Sequence, residues 1–207
     1  MSLQIKLIVL GNQHVGKTTF IKKLKDNIFI NYYSSTIGVD YDRIVFKYEE
    51  NEHEIILWDT SGQDKFNFII NSYFNSVTGA IILCDVNDFS SFTKAKKWIE
   101  EFRIRKDNNN IPILFLANKI DIKDKIVSTE DIENVGKEYN VKTMEISVKN
   151  NINLDKIFPT IIDEYNEKLA KNLILVEKDN IRRLKRKKSS FQVLEPKEPE
   201  PRCCNIM

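Results

Sequence analysis

The stretch Gly11-Asn-Gln-His-Val-Gly16-Lys17-Thr18 decides the fold, because it joins a predicted strand to a predicted helix. Before it, residues 5–10 form a short and almost continuous apolar run, which is typical of a strand covered on both faces. After it, apolar residues at positions 20, 21 and 24 recur at helical spacing. In this setting the pattern G-x-x-x-x-G-K-[ST] predicts a phosphate-binding loop.

The chemistry of this loop depends on its backbone and on two side chains. Glycines let successive N–H groups converge on one anion, and the helix N-terminus adds positive potential. Lys17 is expected to reach the β- and γ-phosphates, and Thr18 to offer its hydroxyl to Mg²⁺. A Gly-Lys turn that only caps a helix is the alternative for this motif taken alone. The loop residues predicted to bind nucleotide are Gly11, Gln13, His14, Val15, Gly16, Lys17, Thr18 and Thr19, with the His14 side chain solvated.

Segments of strand and helix character alternate along the chain. Strand patterns occur at 5–10, 42–48, 54–58, 79–84, 111–117 and 142–147, and helical patterns at 17–26, 66–75, 90–105, 128–139 and 154–171. Ser90 and Ser128 are candidate helix N-caps, and Ser128 to Asp131 resembles a capping box. We therefore predict an α/β fold with an open, mostly parallel six-stranded sheet and helices on both faces. The hairpin of 42–48 and 54–58 supplies one antiparallel edge strand, and ligands are expected at the carboxyl ends of the strands.

Composition separates a body from a tail. The chain has 207 residues, 42% hydrophobic and 30% charged, which suits one domain with an extension. Its net charge is +2, but residues 171–207 contain ten Lys/Arg and five Asp/Glu. We expect a domain at residues 1–171 and a flexible basic, Pro/Glu-containing tail at 172–207. Three cysteines do not make a disulfide framework, so a reducing compartment is expected, with Cys84 in the core.

Two segments are expected to meet the phosphates from other strand ends. Thr36, in the loop after the first helix, is a candidate Mg²⁺ ligand, although for Thr36 taken alone an ordinary residue of the helix-exit loop is the favoured interpretation. Asp59, at the end of the third strand, suits an Mg²⁺ carboxylate, so the predicted metal ligands are Thr18, Thr36 and Asp59. Gly62 can bring its N–H to a terminal phosphate, and Gln63 can orient an attacking water. The predicted catalytic residues are Gln63 and Lys17.

Asn118-Lys119-Ile120-Asp121, after the apolar strand 111–117, predicts the choice of base. An Asp121 carboxylate can accept both the N1–H and the exocyclic amine of guanine, whereas adenine would leave it desolvated and unpaired. Such a site discriminates by roughly 10⁴ or more. Ser147-Val148-Lys149, after the last strand, is expected to offer a backbone N–H to the guanine O6. Phe29 is an aromatic that either packs against the base or belongs to the core.

In this order and spacing, the segments resemble those of Ras-superfamily small GTPases from Ile5 to about Ala170. The resemblance implies a small G domain of the P-loop NTPase class, GTP and GDP as ligands with Mg²⁺, and slow GTP hydrolysis that depends on an activating protein. It also places Tyr33 beside the nucleotide. Ile37-Gly38-Val39-Asp40-Tyr41 is similar to the Rab branch, where Trp58 and Tyr73 would complete an aromatic trio with Tyr41 that effectors read. Gln13, Thr18 and the segment 93–99 look most similar to Golgi-associated Rabs.

Some positions depart from the family pattern. Ser61 replaces the usual alanine, Val148 replaces the alanine beside the base, and Gln13 stands where Ras proteins have glycine. A GTP-binding scaffold that barely hydrolyses GTP is therefore the alternative function. An adenine-nucleotide kinase that shares the phosphate loop is disfavoured by the segment 118–121.

The tail combines a basic run at 182–188 with Cys203-Cys204-Asn-Ile-Met207, in which the last four residues form a C-a-a-X pattern. The basic run is a solvated linker, a nucleic-acid contact or a membrane-surface patch, and it lacks the interleaved aromatics of a nucleic-acid site. Similar Rab tails are prenylated on both cysteines, here Cys203 and Cys204, by geranylgeranyl or farnesyl groups.

The resemblance implies exchange factors, activating proteins, effectors and a GDP-dissociation inhibitor or escort protein as partners, with no nucleic acid and a monomeric G domain. It also implies the cytoplasmic face of endomembranes, Golgi or vesicles, with cycling to the cytosol.

Overall fold

The computed structural model describes residues 3–29, 36, 39–62, 73–106 and 111–171. The chain divides into two units, Met1–Lys168 and Leu169–Met207. The first unit contains the sheet, and the described part of the second is confined to 169–171. Among the described helices, none combines the length and apolar character that crossing a bilayer requires. The predicted helix at 66–75 falls largely outside the described residues.

Strands and helices alternate as the sequence predicts. The strands are β1 (Leu3–Leu10), β2 (Val39–Tyr48), β3 (Asn51–Thr60), β4 (Gly79–Asp85), β5 (Ile113–Asn118) and β6 (Lys142–Glu145). The helices are α1 (Lys17–Asp26), α2 (Phe89–Lys106), α3 (Thr129–Tyr139) and α4, which covers residues 157–171. Short 3₁₀ turns occupy Phe74–Ser76 and Leu154–Lys156. The bounds differ from the predicted ones by a few residues, as is usual at element ends.

The sheet has the strand order β2-β3-β1-β4-β5-β6. All neighbouring pairs are parallel except β2 and β3, which form an antiparallel hairpin. The α/β fold with one antiparallel edge strand is therefore confirmed. After β1 the chain forms β2 and β3 on one side of it, and then crosses to the other side to form β4. The strand order therefore reverses at β1, and sheets of this kind bind ligands at the carboxyl ends of the strands at such a point.

Helices cover both faces of the sheet. Alternate side chains of β1 point to opposite faces, so Leu7 and Val9 pack with α1 and α4, whereas Ile8 and Leu10 pack with α2 and α3. All six residues of β5 are buried, which explains why its sequence shows an apolar run instead of an alternation. Cys84 is fully buried in β4, as predicted, and burial raises the pKa of its thiol to about 12.

The β2–β3 hairpin is a long unit attached to α4. Its register runs through ten pairs, from Val39 opposite Thr60 to Tyr48 opposite Asn51. At its far end the Tyr48 hydroxyl donates to Asp163 Oδ2 at 3.2 Å, and the rings of Phe46 and Phe158 lie 5.2 Å apart. The hairpin is therefore held along its length by β3 and at its far end by α4.

The two predicted N-caps have different outcomes. Ser128 caps α3 in a full capping box: its hydroxyl accepts from the Asp131 N–H at 3.1 Å, and the Asp131 carboxylate accepts from the Ser128 N–H at 3.0 Å. The prediction for Ser90 is wrong. Helix α2 begins at Phe89, and the Ser90 N–H donates to Asp88 Oδ1 at 2.9 Å, so Asp88 is the capping residue.

Candidate functional site

A cleft of about 570 Å³ opens at the carboxyl ends of β1, β3 and β5. This volume lies within the usual range for small-molecule sites. Most of the sequence-predicted nucleotide residues line it, although they come from six separate segments. They are Gln13, His14, Gly16, Lys17, Thr18, Thr19, Phe29, Thr36, Gly62, Asn118, Lys119, Asp121, Val148 and Lys149.

Four other predicted residues lie behind the wall of the cleft. Val15 and Ser147 are buried, and Asp59 lies under the residues that line the cleft. Gly11 has φ of 144°, and a Cβ there would meet the Leu83 carbonyl oxygen at 2.4 Å, so the close approach of β4 requires glycine. Tyr33, Gln63, Cys203 and Cys204 lie outside the described residues.

The loop before α1 is curled around the Lys17 side chain. Lys17 Nζ donates to the carbonyl oxygens of Gly11 and Asn12, both at 2.9 Å. Burial lowers the pKa of Lys17 to about 8, while the Asp59 carboxylate acts in the opposite direction. A buried ammonium group in a curled, glycine-containing loop suits an anionic ligand.

Three oxygen-bearing side chains converge beside this loop. Thr18 Oγ1 donates to Asp59 Oδ2 at 2.7 Å and lies 2.9 Å from Thr36 Oγ1, which is 3.5 Å from the same carboxylate oxygen. Burial raises the pKa of Asp59, against the hydrogen bond from Thr18 and the charge of Lys17. The other oxygen, Asp59 Oδ1, is buried and has no hydrogen-bond partner among the described residues.

Asn118 ties the two ends of the cleft together. Its Nδ2 donates to the Val15 carbonyl at 2.8 Å, and its Oδ1 accepts from the N–H groups of Lys119 at 2.8 Å and Val148 at 3.2 Å. The side chain is buried, so all three hydrogen bonds are shielded from water. Of the segment 147–149, which we expected to offer a backbone N–H to the guanine O6, the Val148 N–H thus donates to the Asn118 amide oxygen in this structure.

Asp121 is oriented by its neighbours at the far end of the cleft. The Ser147 hydroxyl donates to Asp121 Oδ1 at 2.6 Å, and Lys149 Nζ lies 4.0 Å from Oδ2. Ser147 in turn accepts from the Asn150 N–H at 3.0 Å. This arrangement leaves one wall of the cleft with a fixed carboxylate, which suits a ligand that presents adjacent N–H donors.

The sequence reasoning missed some residues of the cleft. Thr60 and Ile122 line it, and so does Ser61, which we had singled out only as a departure from the family pattern. Ile122 directly follows Asp121, so adjacency alone could have found it. Asp85, at the end of β4, forms an ion pair with Lys119 and was also missed, although strand ends are where such groups are expected.

The three aromatic residues expected to form a trio are in contact. The ring centroids of Tyr41 and Trp58 lie 5.5 Å apart, and those of Trp58 and Tyr73 lie 4.8 Å apart. Tyr41 is exposed, so the trio reaches the surface beside the first strand of the hairpin.

Comparison with known proteins gives the class of this chain. The model of the Ras family matches residues 6–167, so the chain belongs to the Ras family of small GTPases, which bind GTP and GDP. The chain is 33% identical over 166 residues to Ras-related protein RABD1 of Arabidopsis thaliana, which covers 80% of both chains. It is 30% identical over 205 residues to Ras-related protein Rab-3C of Bos taurus, which covers 96% of this chain and 86% of the relative. Within the family it is a member of the Rab branch, as the sequence motifs indicated.

Proposed function

We propose that this protein is a guanine-nucleotide switch whose single cleft binds the phosphates at one end and reads the base at the other. The observation that carries this proposal is the Asn118 side chain, whose hydrogen bonds join the phosphate loop at Val15 to the base loop at Val148. Asp121, fixed by Ser147, accepts the two donors of guanine, and the Lys119 stem lies along the ring. Phe29, Tyr33 and Lys149 complete the surroundings of the nucleoside.

The phosphates occupy the loop from Gly11 to Thr19. The backbone N–H groups and the Lys17 ammonium supply the positive potential, and the helix N-terminus adds to it. Val15 and His14 contribute through their backbone, which fits the burial of Val15 and the exposure of the His14 side chain. Gly62 lies against the loop, because a Cβ there would be 2.4 Å from the Gln13 nitrogen. This close packing supports a contact between the Gly62 N–H and a terminal phosphate bound by the loop.

The residues beside the loop fit Mg²⁺. The candidate ligands are one carboxylate and two hydroxyls, and Mg²⁺ prefers such hard oxygen ligands. Asp59 Oδ1 is buried and has no hydrogen-bond partner among the described residues, so it is available to a cation. Thr18 and Thr36 would hold the ion, with Asp59 as a direct or outer ligand. When bound, Mg²⁺ neutralises charge on the β- and γ-phosphates.

Hydrolysis is slow without help. Lys17 stabilises charge on the transferred phosphoryl group, and Gln63 orients the attacking water. The nucleotide motifs of this sequence contain no arginine that could stabilise the transition state from within the chain. We therefore expect an unassisted rate on the order of 10⁻⁴ s⁻¹ and dependence on an activating protein. GTP-dependent contacts to Thr36 and Gly62 would order the segments around them and set the effector surface at the aromatic trio.

The proposed setting is membrane traffic. The G domain comprises residues 1–171, and the tail 172–207 carries prenyl groups on Cys203 and Cys204 and a basic run that favours anionic leaflets. Exchange factors, effectors and a GDP-dissociation inhibitor or escort protein would control its cycling between cytosol and the cytoplasmic face of endomembranes. The vesicle setting follows from the Rab branch, and a Golgi location from the similarity of Gln13, Thr18 and the segment 93–99 to Golgi-associated Rabs.

Base selection is tested by calorimetry on nucleotide-stripped protein with Mg²⁺. We expect GDP to bind roughly 10⁴-fold or more tightly than ADP, because adenine leaves Asp121 unpaired. Asp121→Asn should lose guanine affinity and gain xanthine affinity, since an amide donor matches the 2-oxo group. Asp124→Asn, an exposed aspartate in the same loop, is the matched control. Equal affinity of the wild-type protein for GDP and ADP would refute the proposal.

Phosphate release separates the switch from the scaffold. A switch accelerates at least 100-fold when a Rab-type activating protein is added, and Gln63→Leu abolishes that response. A scaffold, whose cleft is altered by Gln13, Ser61 and Val148, binds GTP with the same base preference but shows no acceleration.

A further inference from the structure

The side chain of Lys119 is anchored at its charged end. Lys119 lines the cleft, and its Nζ lies 2.6 Å from Asp85 Oδ2, at the carboxyl end of β4. The two side chains are largely shielded, with exposures of 32% for Lys119 and 13% for Asp85. The Lys119 backbone has φ of 71°, so the chain leaves β5 through the left-handed region at this residue. Asp85 lies opposite Asn118 in the β4–β5 register, next to the residue whose side chain it pairs with.

Asp85 is itself held in place by the turn that leads into α2. Its Oδ1 accepts from the Asn87 backbone N–H at 2.9 Å, and its own N–H donates to the buried Ser91 hydroxyl at 2.9 Å. Ser91 in turn donates to the Asp88 carbonyl at 2.8 Å. Since one carboxylate oxygen is committed to this turn, the other is presented to Lys119 in a fixed direction.

We propose that Asp85 is a positioning residue for nucleotide affinity, because it holds the Lys119 stem as a fixed wall of the base pocket. The inference rests on the proposed function of this cleft. The pair holds the ammonium at the end of β4, so the stem keeps one position along the cleft. Asp85 therefore affects how long a purine nucleotide stays bound, and Asp121 decides which purine is accepted.

The test is a double-mutant cycle on the dissociation rate of a fluorescent GDP chased by excess GDP. Asp85→Asn keeps the size of the side chain and its acceptor for Asn87 but removes the charge. We expect it to accelerate dissociation about tenfold, or about 1.4 kcal/mol. Lys119→Met keeps most of the stem without the charge, and in that background Asp85→Asn should change the rate less than twofold.

Two further variants distinguish positioning from a structural effect. Asp85→Glu restores the charge and should bring the rate within threefold of wild type. Glu145→Gln removes another partly buried ion pair, in which Lys125 Nζ lies 2.8 Å from Glu145 Oε1, and should leave dissociation unchanged. The ratio of GDP to IDP affinity should stay within twofold of wild type in Asp85→Asn, because Asp121 is untouched.

Several outcomes would overturn this inference. Equal acceleration by Asp85→Asn in both backgrounds means that Asp85 acts through the fold, and less than twofold acceleration in the wild-type background means that it has no role. A change in the GDP to IDP ratio would assign it to base selection. Wild-type protein that fails to bind the fluorescent GDP would refute the proposed function, whereas binding with an additive cycle refutes the inference alone.

Discussion

Replacing Asn118 with alanine tests whether one amide holds the phosphate end and the base end of the cleft together. The substitution removes three hydrogen bonds and leaves the Val15 carbonyl and the Val148 N–H without this partner. Each buried group left unsatisfied costs about 1–3 kcal/mol. Since water can reach part of the site through the cleft, we expect the free energy of unfolding to fall by about 2–4 kcal/mol.

The assay is urea unfolding followed by tryptophan fluorescence, with and without saturating GDP. A fall of this size corresponds to roughly 4–16 °C in the melting temperature of a domain of this length. The loss should be larger with GDP than without it, because the variant also loses affinity for the ligand that stabilises the folded state. Asn150→Ala removes an exposed asparagine side chain and should change stability by less than about 0.5 kcal/mol.

The reasoning is refuted if Asn118→Ala loses less than about 1 kcal/mol, or if its loss is the same with and without GDP. The first result would mean that water replaces the amide at no cost. The second would mean that Asn118 supports the fold without linking the two ends of the nucleotide site.

Three other substitutions or conditions follow from the geometry. Gly62→Ala brings a methyl group within 2.4 Å of the Gln13 backbone nitrogen, so the loop must shift. Dissociation of a fluorescent GTP analogue should then accelerate at least tenfold. The control is Gly136→Ala, whose Cβ first meets a Thr143 side-chain methyl, and it should leave that rate unchanged. Nucleotide phosphates favour the charged form of Lys17, whose pKa is about 8 without them, so binding takes up about half a proton at pH 8 and about a tenth at pH 7. Affinity therefore falls as the pH rises through 8, and calorimetry in buffers of different ionisation enthalpy measures the uptake; zero uptake at pH 8 would contradict the burial of Lys17. Ser128→Ala should lower the free energy of unfolding by about 1 kcal/mol without changing GDP dissociation, and an unchanged urea midpoint would show that the capping box contributes nothing.

The parts of this molecule that depend on local sequence were predictable. The phosphate loop, the β2–β3 hairpin and the Ser128 capping box are each specified by residues within a few positions. The hairpin connection is shorter than predicted: β3 begins at Asn51, so only Glu49 and Glu50 lie between the strands. Ser90 was misassigned because Asp88 lies two residues before it and offers an equally good capping oxygen, while the exposed Phe89 gives no burial signal for the first turn.

The parts that depend on distant contacts were not predictable. Asn118 was assigned to the base, but its bond to Val15 spans 103 residues of sequence and is visible only once β1 and β5 are aligned across β4. Asp85 belongs to no recognisable sequence motif. Its pairing with Lys119 follows from the register that places Asp85 opposite Asn118. Sequence patterns indicate which polar residues lie near the strand ends, and the strand order and register determine which of these residues contact each other.

The hairpin constrains how the surface beside it can change shape. Tyr41 and Trp58 stand opposite each other in a ten-pair register, and slipping that register by one residue would turn every side chain to the wrong face. Two of the three rings thus behave as one body, anchored through Tyr48 to the last helix. Tyr73 lies outside the hairpin, so a change in the shape of this surface would alter the 4.8 Å contact between Tyr73 and Trp58. We therefore expect the fluorescence of Trp58 to report changes in the packing of these three rings.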